Sequence, residues 1–93
     1  MMVKVARKFL ISGGVQGVGY RFFAQRAAAR HQVLGYVRNC PDATVEVVAE
    51  GSPSDVEEFK KDILAGPQWS RVEQVEEINI EPTGLYSSFR IER

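Results

Sequence analysis

The chain has 93 residues, 44% of them hydrophobic and 26% charged, and its 12 basic side chains equal its 12 acidic ones in number. This length suits one domain with a single core, and the apolar runs are far shorter than the about 20 residues of a membrane span. Cys40 is the only cysteine, which excludes an internal disulfide and a cysteine-based zinc site. We expect a cytoplasmic protein with no signal peptide, no membrane association and no metal.

The charges are distributed unevenly along the chain. The first 41 residues carry seven basic and no acidic side chains, whereas from Asp42 onward 12 acids outnumber five bases. A positive N-terminal part attracts an anionic ligand. Alternatively, the two halves neutralise each other across a shared sheet.

The N-terminal half begins with an apolar alternation, "KVARKFLI" (4–11), that predicts a strand ending at a glycine-rich loop. From residue 20 the apolar period becomes helical, which predicts an amphipathic helix. Its apolar stripe consists of Tyr20, Phe23, Ala24, Ala27, Ala28 and His31. Two strands follow, "VLGYVRN" (33–39) and "TVEVVAEG" (44–51), joined by the turn "CPDA".

The second half predicts another helix, "SPSDVEEFKKDILAGP" (52–67). Ser52 followed by Pro53 suits an N-cap and first helical residue, and Ser54 with Glu57 offers an alternative capping box. The predicted buried stripe is Val56, Phe59, Ile63 and Leu64. The segment "RVEQVEEINIEP" (71–82) has an irregular apolar register that suggests a bulged strand, and "SSFRIER" (87–93) predicts a short final strand.

The order β-α-β-β-α-β, with a short last strand, predicts an α+β protein of the ferredoxin-like class. Its sheet would be antiparallel, with the short C-terminal strand in addition and two helices on one face. We find no internal repeat or linker and expect one domain over residues 1–93.

This topology gives the glycine loop "SGGVQGVGYR" (12–21) a possible function. The first two strands are parallel, so the loop, the start of the first helix and Asn39 lie at one edge of the sheet. Helix N-termini bind anions, and the Arg21 guanidinium matches phosphate oxygens. A plain tight turn remains the alternative. The spacing matches neither a P-loop nor G-x-G-x-x-G, and no carboxylate lies near the loop in sequence to hold magnesium.

Two motifs carry a specific resemblance. "GGVQGVGYR" (13–21) is similar to the phosphate-loop signature of the acylphosphatase family, and "GYVRN" (35–39) is similar to its second motif. The resemblance implies hydrolysis of small-molecule acyl phosphates to a carboxylate and phosphate, without metal or cofactor. It implies that Arg21 binds the phosphate and that Asn39 orients the attacking water. The residues it places around the phosphate are Gly14, Val15, Gln16, Gly17, Val18, Gly19 and Tyr20.

The sequence departs from the family pattern after the second motif. Ala43 stands where the family usually has glycine. If this position takes a positive φ, alanine costs about 1 kcal/mol and slightly reshapes the turn after Asn39.

Several conspicuous residues have structural interpretations. We expect His31 to be a helix-end residue rather than a base, and Cys40 to be a bystander. Tyr20 and Trp69 are expected to pack through their side chains, and Gln16 to shape the loop.

The alternative function is a non-catalytic ferredoxin-like module that binds an anion or RNA. RNA-binding sheets stack bases on aromatic residues of central strands. Here "TVEVVAEG" has no aromatic residue, and Glu46 and Glu50 would repel a nucleic-acid backbone. We therefore expect an enzyme that binds no nucleic acid and is a monomer.

Overall fold

A computed structural model describes residues 3–17 and 19–93. It contains the predicted order of elements: β1 (Val5–Gly14), α1 (Tyr20–Arg30), β2 (Leu34–Asn39), β3 (Val45–Gly51), α2 (Pro53–Ala65), β4 (Arg71–Ile80) and β5 (Phe89–Glu92). No helix in the described part of the chain is long and apolar enough to cross a membrane.

The five strands form one sheet in the order β4-β1-β3-β2-β5. The pairs β1–β3, β1–β4 and β2–β3 are antiparallel, whereas β2 and β5 pair in parallel, so the sheet is mixed. This confirms the ferredoxin-like fold, with β5 added beside β2. Because β1 and β2 both run antiparallel to β3, they are parallel to each other and end at the same edge.

The core lies between the two helices and one face of the sheet. Side chains alternate between the faces of a strand, and the buried set on this face is Phe9, Ile11, Val37, Val45, Val47 and Ala49. The helices contribute Tyr20, Ala24, Ala27, Ala28, Val56, Phe59 and Ile63. The opposite face, here called the helix-free face, carries among others Leu10, Tyr36, Arg38 and Glu46.

The start of α2 confirms the first of the two predicted caps. Ser52 is the N-cap, and its Oγ accepts a hydrogen bond from the Asp55 amide at 3.2 Å, with Pro53 beginning the helix. The alternative box based on Ser54 is not formed, because Ser54 lies inside the helix. Such a side-chain cap satisfies one of the otherwise unpaired amides of the first turn.

The first strand is longer than the apolar pattern predicts. Gly13 and Gly14 belong to β1 and pair with Val72 and Arg71, so they lie in the sheet rather than in the loop. Gly13 has φ 123°, and a Cβ there would collide with the Arg71 carbonyl oxygen. Close approach of two strands, not a turn, explains this glycine.

The predicted irregularity in β4 is confirmed. Ser12 pairs with Gln74, but Gly13 pairs with Val72, so Glu73 is the extra residue of a β-bulge. The bulge turns both Val72 and Val75 towards the core, where they pack against the buried cluster.

Two predictions of burial are wrong. Leu64 is 41% exposed although it was assigned to the buried stripe of α2, and Trp69, expected to pack, is 79% exposed. Leu64 follows Ile63, which takes the inward position on the helix. Trp69 lies in the loop between α2 and β4, where no periodicity constrains a side chain.

Candidate active site

The loop after β1 is anchored by one side chain and shaped by two glycines. Val15 is 1% exposed and belongs to the core, and its amide donates to the Gly13 carbonyl at 3.0 Å. Gly17 and Gly19 have φ of 76° and 77°. A Cβ at either position would meet nothing within 4 Å, so these glycines are required by conformation rather than by space. Val18 lies outside the described residues.

Gln16 fastens this loop to the turn between β2 and β3. Its Nε2 donates to the carbonyl oxygens of Cys40, at 3.0 Å, and Thr44, at 2.8 Å. Both hydrogens of the side-chain amide are thereby used, so this group acts on the loop and not as a free donor. The expectation that Gln16 shapes the loop is confirmed, and the contact joins the loop to the residue after Asn39.

The loop leads into the N-terminus of α1. Gly19 is the N-cap of α1, has no side-chain cap, and its carbonyl accepts from the Phe23 amide at 3.0 Å. Among the described residues, the amides of Gln16, Gly17 and Gly19 donate to no other described group. The first turn of α1 holds no acidic residue. Amides and helix dipole together favour an anion at this point.

Tyr20 and Arg21, the first residues of α1, point to different environments. The Tyr20 side chain is 2% exposed, and its hydroxyl donates to the Ile63 carbonyl at 2.7 Å, which confirms that it packs. Burial raises the pKa of Tyr20. Arg21 is half-buried, and its Nη1 lies 3.5 Å from the Glu92 carbonyl oxygen. That contact directs the guanidinium towards the end of β5.

Asn39 is placed at the same edge by the register of the sheet. Val45 of β3 is paired with Ile11 of β1 on one side and with Asn39 of β2 on the other. Glu92, whose carbonyl accepts from Arg21, is the partner of Arg38, the neighbour of Asn39. The structure therefore brings the loop, Arg21 and Asn39 to one end of the sheet. By alternation, the Asn39 side chain lies on the same face as the buried Val37.

Arg38 faces the other way and forms a network on the helix-free face. Its Nε donates to Glu46 Oε2 at 2.9 Å, and the Tyr36 hydroxyl donates to the same oxygen at 2.6 Å. The hydrogen bond from Arg38, partly opposed by burial and supported by Tyr36, lowers the pKa of Glu46. The same contact raises the pKa of Arg38. Arg38 is thus neutralised by a carboxylate and is set apart from the site.

The charge asymmetry of the sequence is partly explained by such pairs. Arg7 pairs with Glu77 at 3.4 Å and Arg30 with Asp62 at 2.8 Å, each joining the basic half to the acidic half. Within residues 3–17 and 19–93, by contrast, Arg21 has no carboxylate within ion-pair distance. These pairs support neutralisation between the two halves for Arg7 and Arg30, whereas anion binding by Arg21 stays a prediction.

The turn after Asn39 contains the departure from the family pattern. Ala43 has φ 73°, a left-handed conformation that glycine adopts at little cost. The turn is closed by the Cys40 amide donating to the Thr44 carbonyl at 2.8 Å and by the Ala43 amide donating to the Cys40 carbonyl at 3.2 Å. Residue 43 therefore does take a positive φ, and alanine is strained there.

His31 and Cys40 are the remaining conspicuous residues. His31 caps the C-terminal end of α1, opposite the loop, and its Nε2 lies 2.8 Å from Asp62 Oδ2, which confirms a helix-end residue. Cys40 is half-buried and unpaired. In the described part of the chain, no three histidine, cysteine or acidic side chains are grouped so that they could hold a metal ion.

Two features of the site could not be read from the sequence. The Gln16 contacts span 24 and 28 residues, and the Arg21 contact to β5 spans 71. The last depends on a main-chain carbonyl, which leaves no signal in side-chain identity. For the Gln16 contacts, the only indication in the sequence was a polar side chain within a glycine-rich loop.

Fold and site together define a class, a ferredoxin-like protein with a glycine-rich loop at the start of its first helix. The acylphosphatase family model matches residues 7–91, and the chain belongs to the acylphosphatase family. It is 49% identical to an acylphosphatase of Solibacter usitatus over 86 residues, 92% of this chain and 88% of the relative. It is 47% identical to one of Petrotoga mobilis over 88 residues, 95% and 98% of the two chains.

The structure gives the same result. It superposes on the crystal structure of acylphosphatase from Bacillus subtilis with a TM-score of 0.91 and 28% identity, covering 96% of this chain and 99% of that one. These relatives are named for an enzyme, and family and fold support acyl phosphate hydrolysis. They do not support the alternative of a non-catalytic anion- or RNA-binding module.

Proposed function

We propose that the protein hydrolyses the carboxyl–phosphate bond of acyl phosphates, with the phosphoryl group held by the loop amides and Arg21, and water oriented by Asn39. The observation that carries this assignment is the convergence of three groups at one sheet edge: loop amides that donate to no described group, an arginine with no described carboxylate within ion-pair distance, and an asparagine at the end of β2. Gly17 and Gly19 contribute through their backbone, and Gly14 lies at the end of β1, next to the loop.

The loop residues contribute unequally to this cradle. The Val15 amide is engaged with Gly13, so Val15 supports the loop through its buried side chain. The Tyr20 side chain packs in the core, which leaves only its backbone amide, at the first position of α1, for the phosphate. The amides of Gln16, Gly17 and Gly19 then form the main donor set.

The reaction requires little chemistry from side chains. The water oxygen forms a bond to phosphorus while the bond from phosphorus to the acyl oxygen breaks, releasing a carboxylate. A carboxylic acid has a pKa of about 4, so the leaving group departs unprotonated and needs no general acid. Phosphoryl transfer passes through a loose transition state, which positioned donors and a guanidinium stabilise.

Asn39 is suited to orient water but not to accept its proton. A neutral amide accepts and donates hydrogen bonds at every relevant pH and does not titrate. We infer that the proton of the attacking water moves to an oxygen of the phosphoryl group itself. The pH dependence of the rate should then follow the ionisation of the substrate and not that of an enzyme side chain.

The assignment is tested with benzoyl phosphate in EDTA. We expect Arg21→Ala and Asn39→Ala each to lower kcat by about 100-fold or more, the usual effect of removing one transition-state donor. Arg26→Ala is the matched control, because Arg26 is an exposed arginine of the same helix. Full activity in either site variant overturns the role of that residue. An inactive but folded wild type overturns the proposed function.

The setting of the enzyme is also a proposal. We propose a single-domain cytoplasmic monomer that acts on small molecules and binds no nucleic acid or membrane. The unpaired Cys40 is consistent with a reducing compartment. On the helix-free face, Glu46 and Glu50 lie on the central strand, where RNA-binding sheets need aromatic and basic groups. Light scattering with the monomer mass of 10.4 kDa as the expected value tests the oligomeric state.

A further inference from the structure

A groove of about 420 Å3 adjoins Arg21 at the end of β5. It is lined by Arg21 and Phe22 of α1, Ile91 of β5 and Arg93, which follows β5; we call it the β5 groove. Its volume lies within the range of small-molecule sites and is larger than a phosphoryl group alone requires.

The β5 groove combines apolar walls with positive charge. Phe22 is 66% exposed beside the half-buried Ile91, so an aromatic ring is presented to solvent next to a phosphate-binding arginine. Arg93 is exposed, and no carboxylate of the described residues lies within ion-pair distance of it. No acidic side chain of the described residues lines the groove. An apolar surface with two guanidinium groups, neither within ion-pair distance of a described carboxylate, fits a ligand that is apolar in the middle and anionic at both ends.

A second groove near the site has the opposite character. It lies on the helix-free face, has a volume of about 410 Å3, and is lined in part by Asp42, Glu46 and Glu76. Asp42 and Glu76 repel a substrate that already carries a phosphoryl charge, whereas the charge of Glu46 is balanced by Arg38. Of the two grooves, only the β5 groove is electrostatically compatible with an acyl phosphate.

We propose that the β5 groove binds the acyl group of the substrate, with Phe22 and Arg93 as the residues that determine specificity. The inference rests on the proposed function, which puts the phosphoryl group at Arg21 and leaves the acyl group to extend into the adjoining groove. Phe22 and Ile91 contact the carbon skeleton. Arg93 binds a second anionic group at its far end through the planar fork that matches a carboxylate. The favoured substrates are acyl phosphates with a distal carboxylate.

The test compares two substrates that differ only in this distal charge, benzoyl phosphate and 4-carboxybenzoyl phosphate. Wild type should have the higher kcat/KM for the carboxylated compound. Arg93→Gln should lower kcat/KM for that compound about fivefold more than for benzoyl phosphate, which is the upper range for an exposed ion pair. Arg90→Gln is the control, because it removes the same charge from β5. Arg90 is the strand partner of Tyr36 and lies on the helix-free face, so this variant should leave the ratio of the two kcat/KM values unchanged.

Phe22 is tested with a second substrate pair. Phe22→Ala should lower kcat/KM for benzoyl phosphate about tenfold more than for acetyl phosphate, because only the benzoyl ring is large enough to be covered by the side chain. Circular dichroism of each variant confirms that it is folded.

The outcomes separate this inference from the proposed function. Hydrolysis of benzoyl phosphate by wild type, with equal losses on both substrates in Arg93→Gln, overturns the groove assignment and leaves the hydrolase intact. An unchanged ratio in Phe22→Ala overturns the role of the ring. Absence of hydrolysis of all three compounds by folded wild type overturns the proposed function, and the inference with it.

Discussion

Replacing Ala43 by glycine should stabilise the protein. Ala43 has φ 73° in the turn between β2 and β3, and a left-handed conformation costs a residue with a Cβ about 1 to 2 kcal/mol. Glycine removes that strain, but it also increases the conformational entropy of the unfolded chain, which lowers stability by about 0.4 to 1 kcal/mol. The net gain in the free energy of unfolding is therefore about 0.5 to 1 kcal/mol.

The corresponding shift in melting temperature follows from chain length. For 93 residues, an unfolding entropy of about 2.1 cal/mol/K per residue gives a rise of about 3 to 5 °C. Thermal unfolding followed by circular dichroism, with urea unfolding at 25 °C as a second measurement, resolves a change of this size. The hydrogen bonds that Gln16 donates to the turn use main-chain carbonyls and remain available to the variant.

Ala29→Gly is the matched control. Ala29 is an exposed residue of α1, where glycine has no conformational advantage and lowers helix stability by up to about 1 kcal/mol. The same replacement of alanine by glycine should therefore raise the free energy of unfolding at residue 43 and lower it at residue 29. If Ala43→Gly destabilises the protein as Ala29→Gly does, the positive φ of residue 43 is not strained and the reasoning fails.

Two further predictions concern the loop and the helix pair. Gln16→Ala leaves two turn carbonyls without their donor, so we expect a loss of about 1 to 2 kcal/mol in urea unfolding together with a lower kcat/KM; a stable variant with full activity contradicts the coupling of loop and turn. The hydrogen bond from Arg30, partly opposed by burial and aided by a second one from His31, lowers the pKa of Asp62 below its unfolded value. The stabilisation by Asp62 is therefore complete above pH about 4 and is lost as pH falls through the lower folded pKa. Unfolding curves of wild type and Asp62→Asn should converge as pH falls below 4, and a constant difference down to pH 2 contradicts this.

The features that the sequence predicts best are those determined by residues close together along the chain. The cap of α2 was predicted because Ser52, Pro53 and the helical apolar period lie within one short segment. The bulge in β4 was visible as a break in the alternation between Val72 and Val75. Such features depend on neighbours along the chain, so the sequence contains most of the necessary information.

The errors arose where distant contacts decide the outcome. Gly13 was assigned to the loop because its neighbours are glycines, but it is fixed by the approach of Arg71, 58 positions further on. The exposure of Trp69 likewise follows from its position in a loop. The β5 groove was not predicted at all, since Phe22 and Arg93 are brought together only by the pairing of β5 with β2.

The placement of Asn39 beside Val45 limits the ways in which this site can fail. A slip of β2 by one residue along β3 would turn Asn39 to the helix-free face and expose Val37 in the same step. A one-residue slip therefore cannot move Asn39 without also exposing a core residue. The burial of Val37 thus opposes the same register error that would displace Asn39.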